Sequence, residues 1–574
     1  MGKNKTKTYN NQDDYLVSRV TYYWDKFDRD RRTTLDINVV VKEHLTYGDK
    51  DKLYGVLPNV KEISESLKAQ VENSVIKSAP SIFNVTPRND FQSEEADIQK
   101  ANILDTINDG KIINSYKNAI DNWIDRGEFI LFHEWEVINA KKRVLKENNI
   151  EKVFIDDKGN EIIENETQYT FDVENYVEYE GPVVKAIDPK DFVFDTTKLD
   201  IFNTSRCIKV RRSWMPYEDI ISSSLYQDQL TEEKKQTLKE LVVGAVPTTE
   251  QNFDDYNNVL SRIRTDGDLI EILEFWGDIC LEDGEILEDY VITVAAREMI
   301  IRNELSPYTK SPWVWLPYFS DLKTRRGFSA LVDIIGFNSK ATQIWDSILE
   351  AMRFSINPAY WAKKGGHVVN KKDKLEPGDV LQWSNADGSD VLPQPINTFT
   401  NVPMNFDLIT FLEKEMEEVS GISKYEAGDA TGIARTATET DILVSSSNMR
   451  LSRRLLMLAN EGLVPSIEII ARMLADNTEF GTSNNVKYQS PEGQNKTAIV
   501  DDEIRQGDYK YTIGSTQSII EMKAKIDEIQ PIINSFVQLG AKFDLTKLWN
   551  IVAQAYEIPE ASLLLKQGDN SQLP

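Results

Sequence analysis

Between Gly327 and Asn477 the chain carries a pattern that few folds accept: a helical segment, a β-rich insert, a second helical segment, a short Gly/Thr loop and a third, long helical segment. Leu331, Ile335, Asn338, Thr342, Trp345, Leu349 and Met352 recur at steps of four and three, which puts them on one helix face. In the third segment Ile442, Met449, Leu456, Leu463 and Ile470 are seven apart, with Ser, Asn and Arg filling most positions between. Pro465 falls inside that run. A proline removes one ladder hydrogen bond and clashes with the carbonyl four residues back, so the pattern predicts a kink near Glu461 and Gly462 rather than an end. The second helix is expected from Met404 to Ser420, with Phe406, Ile409, Leu412, Met416 and Val419 on one face, glutamates elsewhere and Gly421 as cap.

Upstream, the residues Tyr15 to Phe27 interleave aromatics with Arg19, Lys26, Arg29, Arg31 and Arg32. Such a segment can stack on nucleic acid; the reading favoured here is an amphipathic helix that docks its aromatics on the body. Helices are predicted from Asn59 to Lys77, from Ser93 to Arg126 and from Glu232 to Val243, with a short strand at Ile82–Val85 ended by Thr86-Pro87. From Phe129 to Arg212 short β-type runs alternate with turn signals such as Asp157-Lys158-Gly159-Asn160, and a hairpin is expected to turn at Glu282-Asp283-Gly284. Trp313, Trp315, Tyr318 and Phe319 alternate with prolines in an extended stretch that suits packing at a lobe junction or, as the second reading, a partner. In the insert, strands are expected around Tyr360-Trp361, His367-Val368-Val369 and Val380–Trp383; strands return near Tyr509–Ile513, and helices from Ser518 to Leu565.

Composition excludes several functions. No apolar run reaches the roughly 20 residues that span a bilayer, and the polar start lacks the apolar stretch of a signal peptide. Gly2 with Thr6 matches a myristoylation pattern only loosely, as chance would. Cys207, Cys280, His44, His133 and His367 are too few and too scattered for a zinc site or a disulfide scaffold, so neither metal nor other cofactor is expected. A formal charge of −27 argues against wrapping nucleic acid tightly, and suits a wall past which a polyanion slides. The Gly428–Thr436 loop lacks the Gly-Lys-Ser/Thr ending of a phosphate-binding loop, no Gly-x-Ser-x-Gly elbow is present, and Asp156–Glu161 is too short for a calcium loop. With 93 carboxylates, acidic pairs carry no information about catalysis.

Three stretches together resemble the portal proteins of tailed bacteriophages, most like those of short-tailed phages. Val184-Lys185-Ala186-Ile187-Asp188-Pro189-Lys190-Asp191-Phe192-Val193-Phe194-Asp195, followed by Ser205-Arg206 and Arg211-Arg212, is similar to a wing signature of that family. Arg326-Gly327-Phe328-Ser329, leading to Asn338 and Gln343, resembles the lead-in to its first stem helix. Glu417 to Ile422, then Tyr425, Gly428-Asp429 and Arg435 to Thr440, resembles the end of its second stem helix, its tunnel loop and the start of its kinked helix.

The resemblance covers about residues 15–515 and implies an α+β portal fold. After a polar and basic N-terminal arm (1–30) come an α/β wing (31–326), stem helix 1 (327–354), a small β-rich clip (355–401) and stem helix 2 (402–421). A tunnel loop (422–436), a kinked helix (437–477), strands returning to the wing (478–516) and a short helical crown (517–574) follow. It further implies a ring, by family precedent a dodecamer, at one capsid vertex of the virion, assembled in the host cytoplasm. Double-stranded DNA would pass through without sequence preference during packaging and ejection, with no catalysis by the ring. The expected partners are the terminase motor, tail adaptor proteins, the major capsid protein and a scaffold, and no membrane.

The tunnel-loop residues implied to face DNA are Lys424, Tyr425, Gly428, Asp429, Gly432 and Arg435, with Glu413, Glu417 and Glu418 on the channel wall. Lys363, Lys364, Lys371, Lys372 and Lys374 form the dense basic cluster of the clip, expected to face acidic surfaces of motor and adaptor or the emerging DNA, with a solvated edge as the equal alternative, and Pro465 marks the kink. The alternatives are a hydrolytic enzyme of a virion tail and a tail adaptor or scaffold ring.

Overall fold

The computed structural model describes residues 12–45, 57–76, 83–88, 93–155, 161–197, 207–223, 225–243, 265–266, 269–320, 325–356, 360–363, 380–383, 394–395, 402–422 and 451–513, apart from 452, 480, 482–483 and 490–494. Helices α1 (Gln12–Leu45) and α2 (Asn59–Val75) precede a strand, β1 (Phe83–Pro87), and two further helices, α3 (Ser93–Asp109) and α4 (Ile112–Arg126). Residue 30, the expected end of the N-terminal arm, lies inside α1. Strand β1 runs through Thr86-Pro87 instead of stopping before them, because Pro87 closes the pairing at Tyr509 and an end position needs no ladder donor.

The helix expected over Ser93–Arg126 is two. Its break falls at Gly110-Lys111, where Lys111 is left-handed (φ 52). A side chain at Gly110 would stand 2.8 Å from the Tyr179 hydroxyl, so the turn fits beneath a tyrosine that the chain supplies seventy residues later.

The short runs expected from Phe129 onward are two long strands, β2 (Glu128–Ile155) and β3 (Glu161–Ala186), paired antiparallel from Leu131↔Ala186 to Ile155↔Glu161 with a bulge at Ile138/Asn139. Polar residues inside these runs look like turns in sequence, but a two-stranded ribbon is wet on its faces and accepts them.

A six-stranded antiparallel sheet follows: β4 (Phe192–Phe194), β5 (Lys209–Pro216), β6 (Thr265–Asp266), β7 (Leu269–Cys280), β8 (Ile286–Ala295) and β9 (Met299–Leu305), in order β4-β5-β7-β8-β9 with β6 on β7. Alternate residues of β7 explain its coverage on both faces. Leu273 and Phe275 join Leu16, Val20, Trp24 and Phe27 of α1. Ile270 and Ile272 join Ile220 and Leu238 from the helices α5 (Tyr217–Ser222) and α6 (Glu232–Val243). Trp24 and Phe27 of the N-terminal segment are therefore buried against the sheet, with Tyr15 and Tyr23 half-buried beside them and Tyr22 exposed.

Strand β10 (Trp313–Pro317) pairs with β2 from Trp313↔Phe132 to Pro317↔Glu128. Trp313 and Trp315 pack with Phe132, Phe192, Phe194 and Trp276, so this stretch joins the ribbon's base to the six-stranded sheet. After the two-residue strands β11 (Phe319–Ser320) and β12 (Gly327–Phe328) comes helix α7 (Val332–Ile356).

The insert forms a small sheet in which β13 (Tyr360–Lys363) pairs parallel with β14 (Val380–Trp383) and antiparallel with β15 (Gln394–Pro395). The strand expected at His367–Val369 lies outside the described residues. Helix α8 (Val402–Ser420) ends at Gly421, which is left-handed (φ 75) and returns its N–H to the Glu417 carbonyl. A π-helical turn (Leu458–Leu463) then leads into α9 (Val464–Asn477), and the hairpin β16 (Asn484–Gln489) and β17 (Asn495–Val500), helix α10 (Asp502–Gln506) and strand β18 (Tyr509–Ile513) complete the described chain. β18 pairs with β1. The largest cluster of buried residues draws on α2, α4, β2, β10, α7 and α9 together.

Candidate functional site

Helices α7 and α8 pack against each other, with Trp345 and Phe406 edge to face at 6.1 Å between ring centres. The buried face of α7 is Ile334, Ile335, Asn338, Ala341 and Ile348, whereas Met352 of the predicted stripe is half exposed. The shift follows from contacts on more than one side: Asn338 Nδ2 reaches His44 Nδ1 of α1 at 3.0 Å and the Leu57 carbonyl at 3.2 Å. On α8 only Ile409 and Met416 of the predicted face are buried; Phe406 and Val419 are exposed, as are Leu408 and Phe411. The helix pair thus leaves several large apolar side chains exposed to solvent, Phe406, Leu408, Phe411 and Val419 on α8 and Met352 and Ile356 on α7. Large apolar side chains left exposed in this number on one helix pair suit a contact with another chain.

Of the glutamates expected on a channel wall, Glu418 is exposed and pairs with Lys414 at 3.7 Å, while Glu413 and Glu417 are partly buried. Lys363 ends β13; Lys364, Lys371, Lys372 and Lys374 lie outside the described residues, as do Lys424, Tyr425, Gly428, Asp429, Gly432 and Arg435. The residues expected to form the crown (517–574) and the first part of the expected kinked helix (437–450) lie outside them too.

Pro465 sits in the first turn of α9, directly after the π turn, where Val464 donates to the Ala459 carbonyl five residues back. Proline cannot donate to Glu461, and one i→i−5 turn is a common way for a helix to continue past that gap. The extra residue explains a difference from the heptad prediction. Leu463 and Ile470 are buried as expected, but Leu456 is half exposed and Leu455 is buried in its place. Inserting one residue between Leu455 and Leu463 moves the buried stripe by one position. Met416 and Ile422, at the end of α8, pack in the same cluster as Leu455, Leu458 and Leu463.

Behind these helices lies a junction that sequence reasoning did not single out as a site. The Arg326 guanidinium, fully buried, stands 2.9 Å from a Glu128 carboxylate oxygen and 3.1 Å from the Phe192 carbonyl, and burial pushes it down to about 10. Arg31 of α1 donates to the Pro189 carbonyl at 2.7 Å and pairs with Asp28 at 2.6 Å; burial lowers it also. Two arginines from distant parts of the chain thus converge on the carbonyls of Asp188-Pro189-Lys190-Asp191-Phe192. Glu128 accepts from the Gly327 N–H at 2.8 Å, tying the start of β2 to the segment that leads into α7. Two of the three quoted sequence signatures, the wing stretch and the lead-in to α7, therefore meet in space. Their quoted residues carried the signal; in sequence Arg31 reads only as one of the basic residues of the aromatic N-terminal segment, and Glu128 as an ordinary charged residue.

The profile of the phage SU10 portal protein family matches residues 56–482, well over half of the chain. The chain belongs to that family of phage portal proteins. SU10 is a short-tailed phage, in line with the resemblance read from the sequence. No curated protein matches the chain. In this portal-family chain the matched span begins just before α2 and closes just before β16, so it contains Glu128, Arg326 and the Pro189–Phe192 carbonyls of the junction, helices α7 and α8 and the π turn, while Arg31 of α1 lies outside it. The mixed helix and strand content agrees with the α+β class. Among the described residues no helix is long and apolar enough to cross a membrane, and no group of three His, Cys, Asp or Glu could hold a metal ion.

Proposed function

We propose that this chain forms a ring at one capsid vertex and lines the channel through which double-stranded DNA is packaged and ejected. In this reading α7 and α8 are the stem, and the small sheet of β13, β14 and β15 is the clip that docks the packaging motor and later the tail adaptors. Residues 422–436 form the tunnel loop. The observation that carries the proposal, beside family membership, is the set of exposed apolar side chains on α7 and α8, which a neighbouring copy would cover. The charge of −27 suits a channel that must not hold its polyanion, and Glu413, Glu417 and Glu418 contribute to it on α8. The ring is non-catalytic, and hydrolysis of ATP belongs to the motor partner. Its number is taken as twelve by family precedent.

Native mass measurement and electron microscopy of the purified chain test this directly. Closed rings with an axial channel are expected, and a chain that stays strictly monomeric at all concentrations would overturn it. Hydrolytic turnover abolished by a single carboxylate substitution would favour the tail-enzyme alternative.

A further inference from the structure

The ribbon of β2 and β3 is far longer than its support. Its strands are 28 and 26 residues, roughly 90 Å at ~3.3 Å per residue, and β10 pairs with β2 only as far as Phe132. Beyond that, no third strand flanks either edge among the described residues. Isolated two-stranded ribbons are marginal in water, and open edges invite another strand.

The two strands differ in chemistry. From Asn139 to Ile155, β2 carries Lys141, Lys142, Arg143, Lys146 and Lys152 against Glu147 and Glu151. From Glu161 to Glu180, β3 carries acidic residues and no Lys or Arg. Register sorts the described part into faces. On one, Leu145 faces Phe171, Arg143 faces Val173, Lys141 faces Asn175 and Asn139 faces Val177. Phe171 is 72% exposed, Val173 55% and Val177 51%. On the other, Val144 faces Asp172 and Lys142 faces Glu174.

We infer that the ribbon is an interface between copies of this chain, with the basic β2 edge of one copy laid along the apolar and acidic β3 edge of the next. The inference rests on the ring proposed above and deepens it. In a ring of many copies each ribbon is turned only slightly from its neighbour, so β3 of one and β2 of the next run antiparallel. Rotation about one axis also keeps like faces contiguous. On one face, the alkyl stems of Arg143 and Lys141 then cover Phe171 and Val173 of the neighbour, with the guanidinium over the ring. On the other, Lys142 lies beside Asp172 and Glu174 of the neighbour, repeating across the interface the pairing already present within the ribbon. Closing the ring joins the ribbons into one continuous antiparallel belt without open edges. A head-to-tail contact of this kind needs unlike edges on one chain, which this ribbon has.

The test uses the full chain with Cys280→Ser, leaving only the buried Cys207. Chains carrying Lys142→Cys are mixed with differently tagged chains carrying Asp172→Cys, Glu174→Cys or Tyr176→Cys, assembled and mildly oxidised. Facing positions on neighbouring antiparallel strands are within disulfide reach. Disulfide-linked pairs between the two tags are expected with at least one of the three β3 positions, and none between two Lys142→Cys chains. Rings of full mass without any such link would overturn the ribbon interface and leave the ring intact, whereas absence of rings would overturn both. As a second readout, Lys142→Glu should shift the balance from ring to monomer on the order of tenfold, and adding Glu174→Lys in the same chain should restore it. Full ring yield in the Lys142→Glu chain would count against the interface.

Discussion

His133 Nε2 on β2 lies 2.7 Å from the Ser466 hydroxyl on α9, in a site closed to solvent. His133 Nδ1 is 2.9 Å from the Pro312 carbonyl, which can only accept, so Nδ1 carries the proton and Nε2 accepts from Ser466. The Ser466 oxygen, 2.9 Å from the Tyr116 hydroxyl, then accepts from the tyrosine. One ordered chain of hydrogen bonds thus ties α4, β2, the segment before β10 and α9 together, one residue after Pro465.

Burial holds this imidazole neutral, down to about 4 against an ordinary 6.5, and the charge of Lys310 acts in the same direction. Below pH 6.5 the unfolded chain takes up a proton that the folded one refuses, so the contribution of His133 to stability falls as pH drops from about 6.5 to about 4 and is level beyond. Glu134, pushed up to about 7 by burial, works with the opposite slope, so the comparison must be between variants. The urea midpoint of His133→Gln measured from pH 4 to 6.5 should depend less steeply on acid than that of the wild type.

Ser466→Ala removes the centre of the same network and leaves His133 Nε2 and the Tyr116 hydroxyl buried without their partner. A loss of ~1–3 kcal/mol is expected. It should appear as faster amide exchange along Val464–Asn477, and exchange unchanged there would mean that the network is slack.

Glu128→Ala strips the Arg326 guanidinium of its carboxylate while it stays buried. Breaking a buried pair in this way costs roughly 3–5 kcal/mol, so the variant should unfold at markedly lower urea than a control such as Glu232→Ala, whose carboxylate is exposed.

Gly327 lies against the carbonyl of Gly127, itself left-handed at φ 85; a Cβ on Gly327 would fall 1.9 Å from that oxygen. Neither backbone can yield, because Tyr318 N–H already donates to the Gly127 carbonyl at 2.7 Å. Gly327→Ala should therefore give little soluble protein, while Gly336→Ala, with open space at its Cβ, should express and melt as the wild type does.

Pro465→Ala restores a donor for the Glu461 carbonyl and favours an ordinary α-turn. The residues before it would then rotate out of register, exposing Leu455 in favour of Leu456. Ring yield and packaging should fall even though the chain still folds. Unchanged assembly and packaging would make the π turn a tolerated irregularity.

The amino-acid sequence alone determined the local periods and their interruptions: helix α6 at its observed bounds, the hairpin at Gly284, the α8 cap at Gly421, and a disturbed ladder ahead of Pro465. These depend on residues within a turn or two of one another, and so did the ordered signatures that pointed to the portal family. Which residues of α7 and α8 are buried was decided by neighbours distant in sequence, such as His44 against Asn338. The same holds for the division of Ser93–Arg126, made beneath Tyr179, and for the merging of short β runs into one ribbon, which required β2 and β3 to find each other. The convergence of Arg31 and Arg326 on Pro189 and Phe192 carbonyls was invisible in sequence, because a buried charge is recognisable only by the partner that the fold brings to it.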